Sequence, residues 1–535
     1  MFGFYYKKLK YLLRRGALLA ENSAAAARQE QAKDGARLSA DKLADTLADN
    51  IAYFKQTLGN SGDLVIHEFW YDDKRYHAAL FFIDGLVNTD IITQSVLRPL
   101  LENSSAMAAR GIHAQPAQVK ELVLCSGDVT EDESVSKLMD GLLSGNTVLV
   151  FEHYEKGLLI STKGWEKRAV SEPETESVVR GPREGFVENL RTNTALMRRK
   201  IKSPLLRMEQ LVVGEKTKTD VCLCYLDTVV KPEVVALVRE RISAIKTDAI
   251  LDSGYIEEFI EDRPFSIFPT ISYTEKPDVA AAKVLEGRVA IIADGSPFVL
   301  TAPMLFTESF QTSEDYSVRY FYASFNRLLR FFAYFITVFG PAMYLALTTF
   351  HQELIPSTLL FTITKAREGT PFPAFLEALV LVISFEILRE AGIRLPHPVG
   401  QAISIVGALV MGDAAVSAGL VGAPMVITIA ITAVSGFAIP AHADSILILR
   451  LAAMVCATLL GGFGITVAAL AMMIHLGSIK SFGVDYFDGL TVSRNQEDKL
   501  VRMPQWFIKK RPLGLAGQDV VRTVAVVPPP EKKGQ

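Results

Sequence analysis

Residues 331–350 read FFAYFITVFGPAMYLALTTF, and no acidic, basic or histidine residue interrupts them. About 20 consecutive apolar residues are enough for a helix to cross the hydrocarbon core of a bilayer. Two further stretches, 414–441 and 451–474, are equally free of Asp, Glu, Lys, Arg and His. The sequence therefore predicts an integral membrane protein.

The membrane part is predicted as a domain over residues 316–477 with about four spans, at 331–350, 372–390, 415–440 and 446–476. Basic residues precede the first span and follow the last, which favours cytoplasmic positions for both chain ends. The uncharged stretch PVGQAISIVGALVMG, residues 398–412, is too short to span comfortably. We expect it to form a re-entrant half-helix.

Most of the sequence before the first span predicts water-soluble structure. Residues 1–60 are expected to form a helical or flexible extension, and 61–175 and 176–315 to form two cytoplasmic subdomains. Short apolar and β-branched runs alternate there with helical stretches, which is typical of an α/β or α+β fold. The start of the chain, MFGFYYKKLKYLLRRGALLA, lacks the uninterrupted apolar run of a secretory signal.

Composition and motifs exclude several function classes. The 535 residues carry a formal net charge of −3, so the chain does not advertise nucleic-acid binding. Neither GxxxxGK[ST] nor GxGxxG occurs in the N-terminal region, and no catalytic or metal signature organises the acids and histidines. Cys222 and Cys224 alternate along a predicted strand without nearby ligands, so they are interpreted as core residues. We expect no enzyme activity, no cofactor and a reducing compartment.

The stretch RGPRE, residues 180–184, resembles a helix start, with Pro182 at the first helical position and Glu184 in the first turn. Arg180 and Arg183 then flank backbone N–H groups that favour anions. A second interpretation is that the two arginines pair with acids of a neighbouring domain or subunit. Arg180, Arg183 and Glu184 are therefore candidate subunit-interface residues.

The stretch SFEILREAGIRLP, residues 384–396, places four charges inside an apolar region. In a helix, Glu386 lies beside Arg389 and Glu390, and Glu390 lies beside Arg394. Since paired charges cost less than isolated ones at membrane depth, we expect these pairs at the inner mouth of the second span. The alternative is a helix end whose long side chains reach out to water.

The predicted half-helix has two different faces. One carries Gln401, Ser404 and Ala408, and the other carries Val399, Ile403, Val406 and Val410. An apolar constriction can close a pore by excluding water. The pore or gate candidates are Gln401, Ser404, Val406, Ala408, Val410 and Asp413.

The C-terminal region, residues 478–535, is predicted to be a basic cytoplasmic tail. Its segment KLVRMPQWFIKKRP places Trp506 and Phe507 beside Lys509, Lys510 and Arg511. This mixture suits the headgroups of anionic lipids. A tail that packs on the soluble domains is an equally open interpretation.

Several long stretches of the sequence are distinctive: FIDGL, VRGPREGF, ENLRTNTALMRRKI, IEDRPFSIFPT, EGRVAIIADGSPFVLTAP, the run from FPAFLEALVLVI to GLV, KSFGVDY and KLVRMPQWFIKKRP. With these stretches the chain resembles the A subunits of bacterial spore germinant receptors, the GerA family. They occur in the family's order, over about residues 75–512.

The resemblance implies a subunit of a nutrient receptor in the spore inner membrane. It implies a transporter-like B subunit that binds the nutrient, a lipoprotein C subunit, and a ring of A subunits, expected to be a pentamer, around a cation pathway. The family also includes auxiliary members that amplify germination. A transporter acting alone and a non-conducting membrane scaffold are the rival classes, and the single broken segment does not favour a transporter.

Overall fold

The computed structural model describes residues 42–72, 74–103, 115–122, 128–165, 173, 175–176, 178–394, 410–488, 498–512 and 514–522. The chain divides into two compact units. The sheet unit contains residues up to Glu261, Ile271–Pro303 and the chain from Gln505 onward. The helical unit contains Asp262–Thr270 and Met304–Pro504.

The sheet unit begins with helix α1 and a five-stranded antiparallel sheet in the order β1-β2-β4-β5-β3. Short helices α2 and α3 precede β3, and α4 follows it. The elements are α1 (Leu47–Thr57), β1 (Leu64–Tyr71), β2 (Tyr76–Ile83), α2 (Thr89–Ile92), α3 (Val119–Leu122), β3 (Val129–Asp132), α4 (Val135–Leu143), β4 (Asn146–Phe151) and β5 (Gly157–Ser161).

A second five-stranded antiparallel sheet follows in the order β6-β7-β9-β10-β8. Its elements are α5 (Leu190–Lys200), β6 (Leu206–Val213), β7 (Thr219–Leu226), α6 (Pro232–Ser243), α7 (Ser253–Ile260), β8 (Ser272–Thr274), α8 (Pro277–Leu285), β9 (Val289–Ala293) and β10 (Val299–Ala302). Since both sheets are antiparallel, the α+β alternative describes the sheet unit.

The two sheets are copies of one topology. Their strands have the same spatial order, each sheet follows one leading helix, and in each the short edge strand comes third along the chain. β1 begins at Leu64 and β6 at Leu206, 142 residues later, while β2 and β7 begin at Tyr76 and Thr219, 143 residues apart. We call the two copies the first and second repeat.

Equivalent helices also pack in equivalent ways. In the first repeat, buried residues of α1 and α4 form one core with the sheet, among them Phe54, Leu138 and Phe81. In the second repeat, residues of α5 and α8 do the same, among them Leu196 and Val284. The shared packing supports the correspondence that the strand order indicates.

The helical unit is built mainly from apolar helices of very different lengths. They are α9 (Tyr320–Thr349), α10 (Ser357–Arg367), α11 (Ala374–Arg394), α12 (Ala415–Ser417), α13 (Ala423–Gly436) and α14 (Ala443–Ser478), and the hairpin β11 (Lys480–Ser481) and β12 (Val484–Asp485) follows. Within the part of the chain that the structure describes, two helical segments, Tyr320–Thr349 and Pro440–Ser478, are long and apolar enough to cross a membrane.

Helix α14 folds back on itself at Gly461, whose φ of 61° and ψ of −140° are not helical. His442 before the helix and His475 near its end both contact Phe268, with ring centroids 6.0 and 5.9 Å away. A straight helix of 36 residues would separate its ends by on the order of 50 Å. The predicted fourth span is therefore a hairpin of two antiparallel limbs, and the expectation of one crossing over 446–476 is wrong.

The reversal lies at the end of α9. A Cβ atom added to Gly461 would lie 2.9 Å from Phe350, and the Gly462 N–H donates to Nε2 of His351 at 3.1 Å. Midway along α9, the ring of Tyr334 lies 5.5 Å from that of His442. We call the end with His442 the proximal end of the helical unit and the end with Gly461 the distal end.

Helices α11 and α13 run in the same direction. Glu377, near the start of α11, accepts a hydrogen bond from the N–H of Gly422, which caps the start of α13. Phe385 further along α11 contacts Phe437 at the end of α13, with ring centroids 6.2 Å apart. The chain therefore enters both helices at the same end of the helical unit. The predicted half-helix, residues 398–412, lies mostly outside the described residues.

Candidate charge cluster in the helical unit

The charges in the middle of the helical unit meet on α11. Glu386 lies between two arginines: Nη2 of Arg389 is 2.8 Å from Oε2, and Nη1 of Arg450 is 3.3 Å from Oε1. Arg389 is one turn along the same helix, whereas Arg450 comes from the first limb of the α14 hairpin. We call Glu386, Arg389 and Arg450 the charge cluster.

A proline explains why Arg450 turns toward α9. Pro341 lies inside α9 and has no N–H, so the carbonyl oxygen of Thr337, four residues earlier, lacks its helical donor. Nε of Arg450 donates to this oxygen at 3.0 Å. One guanidinium group therefore satisfies a backbone carbonyl of α9 and a carboxylate of α11, and connects three helices.

The cluster is largely withdrawn from solvent. The side chains of Arg450 and Glu386 are 4% and 14% exposed. Charged groups inside a membrane domain are costly, are almost always paired and usually mark functional positions. This arrangement makes the charge cluster the candidate functional site of the helical unit.

A second acid on α11 lies toward the distal end. Glu377 is fully buried and accepts from the N–H of Gly422. Nε of Arg367 on α10 lies 3.9 Å from its other oxygen. Each acid of α11 that is withdrawn from solvent thus faces an arginine of a different helix.

The predicted charge pairs are only partly visible. Glu386 and Arg389 contact each other as the helical spacing predicts, while Glu390 is exposed and the side chain of Arg394 is outside the description. Sequence reasoning missed Arg450. The signal for it was a lone cation within an otherwise apolar stretch, but nothing in the sequence indicated its partner.

Four of the six pore or gate candidates lie outside the described residues: Gln401, Ser404, Val406 and Ala408. Val410 begins a π-helical turn, Val410–Ala414, which also contains Asp413. The side chain of Asp413 is exposed.

The prediction that a helix begins at RGPRE, residues 180–184, is wrong. Residues 181–189 are not helical, and α5 begins at Leu190, where the side chain of Asn189 accepts from the N–H of Thr192. Arg180 and Arg183 are exposed and do not flank a helix start. The competing signal was Asn189, a residue type that favours the N-cap.

Glu184 has its partners within the sheet unit. Its carboxylate lies 3.0 Å from Arg199 and 2.8 Å from Lys200 on α5. The hydrogen bond from Lys200 lowers the pKa of Glu184, and it outweighs the effect of burial. The structure thus gives this interface candidate an internal role.

A pocket of about 240 Å³ lies beside α5 in the sheet unit. Its wall includes Asp84 and Arg191, whose side chains are 3.3 Å apart, and Arg199, which lies 5.2 Å from the ring centre of Trp165. The pocket has room for a small molecule, but the cations on its wall already have partners.

The thiols of the second repeat are inert core groups. Cys222 and Cys224 are fully buried in β7, and burial raises the pKa of Cys224 to about 12. Among the described residues, no three His, Cys, Asp or Glu side chains are grouped in a way that could hold a metal ion.

The basic C-terminal segment lies partly in the sheet unit. Trp506 and Phe507 are exposed, whereas Arg511 donates to the carbonyl oxygen of Leu285 at 2.8 Å. Leu515 is fully buried. Packing on the sheet unit thus accounts for residues 511–512 and 514–522.

Comparisons with known proteins cover nearly the whole chain. A family profile described as Bacillus/Clostridium GerA spore germination protein matches residues 52–513. Spore germination protein KA of Bacillus subtilis (strain 168) is 43% identical over 485 residues, which cover 90% of this chain and 88% of the relative. The uncharacterized membrane protein YfkQ of the same strain is 42% identical over 474 residues, 88% of this chain and 91% of the relative.

A solved structure also matches part of the chain. It is the N-terminal domain of the A subunit of the Bacillus megaterium spore germinant receptor GerK3, with 34% identity and a TM-score of 0.40, and the match covers 50% of this chain and 97% of that domain. The extent of the family profile and the identity to full-length relatives decide the assignment. The chain is a member of the GerA family of spore germination proteins.

Proposed function

We propose that this chain is the membrane subunit of a nutrient germinant receptor and that its oligomer forms a cation pathway opened through a nutrient-binding partner. The observation that carries the proposal is the charge cluster. Three helices of an apolar unit meet at Glu386 and Arg450, and α11 leads from there directly into residues 395–412. A site of this kind can hold the segment that follows it in a defined position.

The direction of the helices supports cytoplasmic positions for both chain ends. The segments that join the helical unit to the sheet unit contain Phe268, Phe306 and Tyr486, and these residues cluster at the proximal end. Each limb of the α14 hairpin has about 17 residues and a length of roughly 25 Å, close to the thickness of a bilayer core. We therefore place the proximal end at the cytoplasmic face of the spore inner membrane.

The partners are a transporter-like B subunit and a lipoprotein C subunit, as in a receptor of three kinds of subunit. Further copies of this chain, five in the ring, surround the pathway, and lipids contact the exposed apolar faces of α9 and α14. Family membership supports this assembly.

In this proposal Val406 and Val410 form the apolar gate, and Gln401, Ser404 and Ala408 form a face of small and polar residues. An apolar constriction excludes water while the spore is dormant. Arg180 and Arg183 remain the subunit-interface candidates because both are exposed.

Reconstitution in liposomes tests the proposal. Purified chain together with its B and C partners is expected to release potassium on addition of the nutrient, and the partners alone are not. Nutrient uptake by this chain alone would favour a transporter. Absence of flux in a complex that assembles normally would favour a scaffold, and full nutrient response in spores that lack this chain would favour an auxiliary germination-amplifying member.

A further inference from the structure

Each repeat has a groove between the turn after its second strand and the turn before its fourth strand. A different part of the chain fills this groove in each repeat. In the first repeat the chain that continues from β5 does so: the N–H of Gly164 donates to the carbonyl oxygen of Leu86 at 3.2 Å. Gly145 has a φ of 87°, and a Cβ atom on it would contact Leu86, Lys163 and Trp165. The segment that fills the groove of the first repeat therefore follows the last strand of the same repeat directly.

In the second repeat the C-terminal segment occupies the equivalent place. The residue that corresponds to Leu86 is Val229, 143 positions later, and its carbonyl oxygen accepts from the N–H of Gly517 at 2.7 Å. The glycine that corresponds to Gly145 is Gly287, with a φ of 101°, and a Cβ atom on it would contact Val229, Leu515 and Ala516.

This correspondence shows where the helical unit is inserted. The second repeat continues as far as β10, which ends at Ala302, and the helical unit occupies Met304–Pro504. The chain then returns to the sheet unit at Gln505 and supplies the closing segment. The helical unit therefore interrupts the second repeat just before its last piece.

We propose that residues 514–522 act as a strap, a separable segment that docks in this groove and ties the C-terminal end of the helical unit to the second repeat. The strap differs from its counterpart in the first repeat because about 200 residues of helical unit separate it from the sheet that it completes. Movement of the last helices is then transmitted to the sheet unit through the strap.

The contacts of the strap are specific. Leu515 and Ala516 are 0% and 4% exposed. Asp519 donates its N–H to the carbonyl oxygen of Thr228 at 3.2 Å, and Arg522 lies 3.3 Å from Glu286. An apolar anchor flanked by backbone hydrogen bonds is enough to hold a short peptide in a groove.

A chain with a protease site between Pro504 and Gln505 tests the docking. After cleavage of the purified full chain in detergent, the fragment that starts at Gln505 is expected to stay bound during gel filtration. Leu515→Asp is expected to lower its retention at least roughly tenfold, because it buries a charge without a partner. Gly517→Val is expected to do the same, since its Cβ would lie 2.7 Å from the carbonyl oxygen of Val230.

Phe507→Asp is the matched control, because Phe507 precedes the strap and is 59% exposed. Its fragment is expected to be retained as in the unsubstituted chain. Separate elution of the unsubstituted fragment, or full retention of both the Leu515→Asp and the Gly517→Val fragments, would overturn the docking. Since this readout does not involve ion flux, it does not depend on the proposed function.

The coupling role rests on the proposed function and needs a second readout. Spores with Leu515→Asp are expected to lose at least roughly tenfold in the rate of nutrient-triggered cation release at normal levels of the chain, and spores with Phe507→Asp are not. A normal rate in Leu515→Asp spores, with the fragment released in vitro, would contradict coupling. Loss of release in both variants would contradict it as well.

Discussion

Two buried arginines, one in each unit, solve similar problems in different surroundings. In the sheet unit, Arg198 of α5 binds both oxygens of Asp63, at 2.7 and 3.1 Å, and reaches Ser61 and the carbonyl oxygen of Ser203. In the helical unit, Arg450 shares its donors between Glu386 and the carbonyl oxygen of Thr337.

The difference lies in what each arginine connects. Arg198 joins the leading helix of the second repeat to the turn before β1, and one carboxylate faces one guanidinium group in a bidentate pair. Glu386 instead faces two arginines, and its contact with Arg450 is longer. The bidentate geometry of the sheet-unit pair suits a contact that stays fixed. The shared contacts of the charge cluster suit one that can rearrange.

The largest effect is expected for Arg450→Met. It leaves the Thr337 carbonyl oxygen without a donor and removes one of the two cations beside Glu386, and the loss of one partner of a buried pair costs about 3 to 5 kcal/mol. The unpaired carbonyl adds about 1 to 3 kcal/mol. We expect the variant to fail to accumulate in membranes, as measured by immunoblot.

Arg389→Met is the control for this prediction, because Arg389 is 29% exposed and lies on the same helix as Glu386. It is expected to accumulate at a higher level than Arg450→Met. Equal accumulation of Arg450→Met and the unsubstituted chain would contradict the role given to the contact between Arg450 and the Thr337 carbonyl oxygen.

Arg198→Met is expected to cost the sheet unit about 3 to 5 kcal/mol, because Asp63 is left buried without its cation. The three tryptophans, Trp70, Trp165 and Trp506, all lie in the sheet unit, so fluorescence during urea unfolding of the full chain reports on that unit. Arg199→Met, at a half-buried neighbour, is the matched control and should cost less. Similar midpoints for both variants would show that the buried pair does not join the repeats.

The Arg198–Asp63 pair also predicts that the stability of the sheet unit falls at acidic pH. Burial raises the pKa of Asp63, but the charge and hydrogen bonds of Arg198 lower it by a larger amount. The pKa of Asp63 in the folded state therefore lies below its usual value. The pair therefore stabilises the folded sheet unit above the unfolded pKa of about 4, and this contribution is lost as the pH falls through the folded value. Urea midpoints measured from pH 6 to 3 should fall more steeply for the unsubstituted chain than for Arg198→Met.

The smallest effect on stability is expected for Arg183→Glu. Exposed positions usually change the free energy of unfolding by less than about 0.5 kcal/mol. If Arg183 contacts an acid of a neighbouring subunit, the variant should instead lower the oligomer mass in detergent, as measured by light scattering. Unchanged mass and normal germination would remove Arg183 from the interface.

Local patterns in the sequence predicted the features that depend on residues close to one another in the chain. The short strands and helices of the sheet unit follow from alternating apolar runs, and the contact between Glu386 and Arg389 follows from a spacing of three residues on a helix. The start of α5 does not follow from local patterns alone, because Pro182 and Asn189 both belong to residue types that favour helix starts.

Other features depend on contacts between distant parts of the chain. Arg450 meets Glu386 across 64 positions, and the strap meets Val229 across almost 300. The α14 hairpin had a local signal, the run Gly461, Gly462, Phe463, Gly464. An uninterrupted apolar stretch nevertheless indicated a single span, because hydropathy does not distinguish one long helix from two short limbs.

The most direct test of the account is the water accessibility of residues 399–412. Single cysteines are introduced there into a chain whose own four cysteines are replaced, and are labelled with a water-soluble thiol reagent before and after nutrient activation. The account predicts that positions 406 and 410 are protected at rest and labelled after activation. If every position from 399 to 412 is unreactive in both states, this segment does not line the pathway.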